Sequence, residues 1–84
     1  MTEAELKQVK VAQEVNCEGE ACPGPVLKAM EALGSIEAGE VALLVTDVKA
    51  ATENVSVAVE TGGLAEVLGV IEEDGLYYLY MKRS

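Results

Sequence analysis

The chain has 84 residues, half of them apolar, with 6 Lys+Arg against 15 Asp+Glu for a net charge of −9, two Cys and no His. That length fits one domain, residues 1–84, which buries only ~60% of the surface its unfolded chain exposes. The charge repels a phosphate backbone and an anionic membrane, and the absence of His removes Ser-His-Asp and Cys-His machinery together with every His-containing zinc site. Two Cys cannot complete a Cys₄ site.

The N-terminus, Met1 to Gln8, has mixed charge and no apolar core, so it does not read as a secretory signal. Residues 1–8 read instead as a flexible segment. The longest aliphatic run, Val41 to Val45, is far too short to span a bilayer. The expected compartment is therefore the cytoplasm, where thiols stay reduced. Cys17 and Cys22 are then better read as reactive thiols than as a structural disulfide.

Val9, Val11 and Val15 fall on alternate positions, with Gln13 the exception, and predict a first strand. Asn16 to Gly24 reads as a loop. From Pro25, Val26, Leu27, Met30 and Leu33 recur at helical spacing, and Gly34 stands where a C-cap glycine belongs. Val41 to Val45 reads as a strand covered on both faces. Asp47 is placed to N-cap a second helix running to Glu60 and stopped by Gly62-Gly63. The alternation of Val55, Val57 and Val59 competes with that reading, but a crossover helix suits the buried strand before it.

Val67 to Glu72 and Leu76 to Lys82 are strand-like runs joined through Glu73-Asp74-Gly75, a strong hairpin signal. The expected fold is an α+β two-layer sandwich of order β-α-β-α-β-β, with two helices on one face of a four-stranded mixed sheet. Tyr78 and Tyr80 share one face of the last strand, and Tyr77 lies opposite with Leu79. Packing explains these rings better than base stacking, which also wants cationic neighbours.

Both prolines fall in Cys22-Pro23-Gly24-Pro25, where the first helix begins. Pro25 sits in a first turn whose N–H groups have no intrahelical partner. Pro23 biases Cys22 toward an extended backbone outside the helix. One sulfur is thus presented stiffly near the positive end of a helix dipole, a place that suits an anion. The dipole is worth only ~0.3–1 kcal/mol, less than one pKa unit, and Glu18 and Glu20 oppose it. A persulfide is more acidic than a thiol and ionises at neutral pH with little help, so the site suits a carried sulfur.

The stretch Asn16-Cys-Glu-Gly-Glu-Ala-Cys-Pro-Gly-Pro-Val-Leu-Lys-Ala29 resembles the signature of the TusA/SirA-like sulfur-carrier family, with its Cys-Pro-x-Pro at the start of a helix. The resemblance continues through Ala38-Gly39-Glu40, Thr46-Asp47 and Asp74-Gly75, and spans residues 9–83. It implies a protein that accepts sulfane sulfur as a persulfide on Cys22 and hands it to an acceptor protein. The donor would be a cysteine desulfurase or a rhodanese-like protein. No cofactor beyond the carried sulfur, no metal, no direct nucleic-acid contact and no membrane are implied.

The rim of the motif departs from the family. Asn16 stands where Asp is usual, Glu20 where an apolar residue is usual, Thr46-Asp47-Val48 replaces Asp-Asp-Pro, and Gly63 stands where His is common. These changes bear on the partner rather than on the carrier chemistry.

Cys17 has two readings, a resolving thiol for Cys22 or a loop residue. Lys28, one turn into the helix, either orients an anionic donor or is a solvated surface lysine. Two rival functions stay open: a Cys17/Cys22 dithiol-disulfide redox protein and a non-catalytic interaction or regulatory module. The Cys-x₄-Cys spacing is not the Cys-x-x-Cys of thioredoxin-like proteins. The acidic surface favours partners with basic docking faces.

Overall fold

The computed structural model describes residues 3–19 and 24–84. The elements are α1 (Glu3–Gln8), β1 (Val11–Asn16), α2 (Gly24–Gly34), β2 (Val41–Thr46), α3 (Lys49–Thr61), β3 (Ala65–Glu73) and β4 (Leu76–Arg83). The sheet order is β1-β2-β4-β3, with β1 parallel to β2 and both remaining pairs antiparallel. The α+β sandwich and its mixed sheet are those expected.

All six residues of β2 are buried, which is why its sequence is apolar without alternation. Ala42 and Leu44 point toward α2 and α3, where they meet Ala29, Ala32, Leu33, Val55 and Val59 together with Leu79 and Met81 of β4. Val41, Leu43 and Val45 point the other way, into a second cluster with Ile71, Tyr80 and Leu6. Tyr78 joins that second cluster, so Tyr78 and Tyr80 do share a face. Each cluster removes apolar surface from water at ~25 cal/mol per Å².

The second face corrects the expectation that residues 1–8 are a flexible segment. Glu3–Gln8 form a helix, and its Leu6 is 3% exposed. A Cβ on Gly69 of β3 would lie 2.7 Å from Leu6 Cδ1, so the glycine is what lets the helix seat. Lys7 also pairs with Glu73 at 3.0 Å across a half-exposed surface. Leu6 stands with Ala4 among four polar residues, which hid this contact, since one large anchor makes no period.

β1 holds a second difference. Its pairing with β2 shifts register between Val11 and Gln13, a bulge centred on Ala12. Val11 consequently packs in the α1-side cluster, and Val15 in the α2-side cluster. Simple alternation would have put both on one face.

Gly34 is the last residue of α2 but is not among the left-handed glycines. The helix ends instead by tightening, with the Ser35 N–H and hydroxyl both donating to the Ala32 carbonyl at 3.1 and 2.7 Å. α3 ends as its glycines predict. Gly63 has φ 69°, the Leu64 N–H donates to Val59 O at 2.9 Å and the Gly63 N–H to Glu60 O at 3.2 Å, the two bonds of a Schellman ending.

The hairpin joins Glu73 and Leu76 through Asp74 (φ 53°) and Gly75 (φ 79°). Positive φ at both central residues is the type I′ requirement that Asp-Gly meets.

Candidate functional site

β1 and β2 run parallel and finish at the same end of the sheet, so the loops that follow them share that end. From these loops α2 and α3 start. Neither helix has an acidic residue in its first turn, so the positive ends of both dipoles are uncompensated from within.

The loop after β1 is fastened at three consecutive points. The Cys17 N–H donates to Val45 O at 2.7 Å, continuing the parallel ladder one residue beyond β1. The Glu18 N–H donates to Asn16 Oδ1 at 2.9 Å, while Asn16 Nδ2 donates back to Glu18 Oε1 at 3.1 Å. This is a side-chain-closed turn of the kind Asn favours. The Gly19 N–H then donates to Asp47 Oδ1 at 3.0 Å, and Gly19 has φ 75°, a conformation that costs glycine least.

Asp47 therefore does not cap α3 as its position suggested. The residue before the helix is Val48, which makes no side-chain cap. Thr46 Oγ1 accepts from the Val48 N–H at 3.1 Å, and the Asp47 carboxylate reaches 28 residues back to hold the first loop. A hydroxyl already serves the local backbone, which frees the carboxylate for the longer contact.

The two cysteines differ in kind. Cys17 is 0% exposed and belongs to the cluster that includes Ala29, Leu44 and Val55. Burial in apolar surroundings is the environment of a structural rather than a reactive thiol. Solvent does not reach its sulfur, so acting as a resolving thiol would require this segment to open. Cys22 and Pro23 lie outside the described residues, as does Glu20. Gly24 and Pro25 open α2, one residue earlier than expected from the periodicity.

In the sequence Cys22 stands two residues before Gly24, the first residue of α2. Lys28 stands one turn further on, half-buried, on the wall of a groove between α2 and β1.

From the sequence Tyr77 reads as a packing residue. It is paired with Thr46 on one side and Glu72 on the other, at the same end of the sheet as the two loops. Withdrawal from water, then the charge and hydrogen bond of Glu72, push its phenol above 10.0. Tyr77 stays protonated at neutral pH. A tyrosine in a strand signals packing, and only the register shows which end it occupies.

Among the described residues no group of three His, Cys, Asp or Glu is placed to hold a metal, and no helix is long and apolar enough to cross a membrane.

The model of the family described as sulfurtransferase TusA matches residues 13–83. Among solved structures the chain is similar to a SirA-like protein from Desulfitobacterium hafniense. The two are 26% identical with a TM-score of 0.74, over 83% of this chain and 95% of that one. A comparison with curated proteins finds no significant match.

Proposed function

Because the chain belongs to the TusA sulfurtransferase family, we propose that it is a sulfur carrier working through a persulfide on Cys22. The observation that carries this reading is the family match across residues 13–83, which contains Cys22-Pro23-Gly24-Pro25, with α2 starting at Gly24. The Cys22 thiolate attacks the terminal sulfur of a donor protein's persulfide. The donor's S–S bond breaks, its thiolate leaves, and a new S–S bond forms on Cys22. An acceptor cysteine thiolate then attacks that terminal sulfur and releases the Cys22 thiolate. One sulfane sulfur moves at each step, with no net oxidation and no cofactor.

The fold's contribution is placement. The start of α2 offers N–H groups and a positive dipole end to the charged sulfur, worth ~0.3–1 kcal/mol. The fastened turn from Cys17 to Gly19 fixes one root of the loop, and Gly24 fixes the other. Approach of one sulfur to another is governed by docking. With a charge of −9, we place the partners' docking faces on the basic side, with association weakened by salt. The burial of Cys17 supports the single-cysteine carrier over the dithiol redox pair.

Intact-mass spectrometry tests this after exposure to a cysteine desulfurase with cysteine, and separately to a rhodanese with thiosulfate. The expected result is a reductant-sensitive gain of one sulfur that persists in Cys17→Ser and vanishes in Cys22→Ser. A loss of two hydrogens that needs both cysteines, with no sulfur gained from either donor, would replace the carrier with the redox pair.

A further inference from the structure

Among the described residues β1 is an edge strand, paired with β2 alone. Between its free edge and α2 lies a groove of about 400 Å³. One wall is β1 from residue 13 to 16, and the other is a stripe of α2, residues 28, 31 and 32, at the i, i+3, i+4 spacing of a single helix face, continued by Ser35 just past its end. The bond from Cys17 to Val45 sets the phase of the ladder. Residues 15 and 17 turn their backbone groups toward β2, so Glu14 and Asn16 turn theirs outward along the groove. The bulge between Val11 and Gln13 ends this free edge on the far side, and the Asn16–Glu18 turn ends it on the near side. A short pairing edge of four residues remains, and it stops at the Asn16–Glu18 turn.

We propose that this groove takes an extended, cationic segment of a sulfur-relay partner as an added strand beside β1. Backbone pairing at Glu14 and Asn16 would supply affinity. The carboxylates of Glu14 and Glu31 outnumber the one ammonium of Lys28 on the groove walls, and the whole chain carries −9, so a basic segment is the complementary occupant. A second copy of this chain is disfavoured on the same ground, since pairing two β1 edges would bring two such acidic walls together. The segment's end would lie at the start of α2, whose first residue, Gly24, follows Cys22 by two in the sequence. The relay role of the occupant rests on the carrier reading, whereas the groove's capacity for a strand does not.

The test uses ¹⁵N-labelled Cys22→Ser protein titrated with a capped pentapeptide of alternating lysine and valine. A control peptide has the same charge but N-methyl groups on alternate amides, which forbids strand pairing. The expected result is shifts concentrated at the amides of Glu14, Asn16 and the 28–35 stripe, with about tenfold weaker binding of the methylated peptide. Glu31→Lys, which leaves β1 intact, should weaken binding severalfold, and Glu14→Pro should weaken it further.

Three results would overturn the proposal: shifts scattered over the acidic surface, equal binding of the two peptides, or no saturable binding. Concentration-dependent dimers that protect the Glu14 and Asn16 amides without peptide would assign the groove to a second copy instead. Sulfur loading of the unmutated protein is measured apart. Loading without peptide binding overturns only the groove, and peptide binding without loading overturns only the carrier.

Discussion

The two faces of the sheet are buried by different means. On one, α2 and α3 lay aliphatic stripes across Ala42, Leu44, Leu79 and Met81. On the other, the six-residue α1 covers the sheet through Leu6, and the tyrosines of β4 supply much of the remaining cover. The first face is redundant, since several side chains from two helices share the burial. The second hangs on one anchor, because a helix that short has no stability of its own in water. The α2–α3 face therefore holds the fold, while the α1 face is the part able to open locally.

The most damaging single change should be Leu44→Ala. Leu44 is 0% exposed at the centre of the helix-covered face, so the loss should be about 2–5 kcal/mol by urea denaturation. A loss below about 1 kcal/mol would mean the two faces do not differ as argued. Leu6→Ala should cost about 2 kcal/mol at most, and amide exchange should accelerate in α1 and β3 while α2 and α3 keep their protection. Uniform acceleration across the chain would show that α1 is part of the global core.

Gly69→Ala presses on the same anchor from beneath. The atom it meets is the far end of the Leu6 side chain rather than backbone, so the cost should stay near about 1 kcal/mol and appear as release of α1 rather than loss of the sheet. Asp47→Ala removes the acceptor of the Gly19 N–H at the loop end, away from both cores. Stability should fall by about 0.5–1.5 kcal/mol, with sulfur loading slowed, and Asp47→Asn should restore much of both because an amide oxygen still accepts.

The smallest effect is the pH response of Tyr77. Its phenol is raised in the folded state, so the protein should keep this contribution below pH 10 and lose stability as pH rises beyond it, when the unfolded chain ionises first. Glu72→Gln should lessen that alkaline fall, read as melting temperature against pH.

The order of elements was legible because β2, α2 and the final hairpin each carry a strong local signal. Val41 to Val45 is apolar throughout, α2 has a clean helical stripe, and Asp74-Gly75 fits one turn type. What escaped depended on contacts between distant residues. Leu6 has meaning only opposite Gly69, and Asp47 only opposite Gly19. The bulge at Ala12 reversed a strand face that alternation could not count.

At the site, Cys17 looked like the partner of Cys22 because it is five residues away. The ladder bond to Val45 continues the strand one step past Asn16, and its side chain packs with the α2–α3 cluster. Tyr77 was visible only as an aromatic in a strand, since its place beside Thr46 is a matter of register.

The enclosure of Cys17 gives the protein an internal clock. A thiol-alkylating reagent added to Cys22→Ser protein finds one thiol, closed to solvent. Modification can proceed only during excursions that open the packing around Cys17, between α2 and the sheet. The labelling rate then counts those excursions without any probe being attached, and a docked partner that clamps α2 would register as a slower tick.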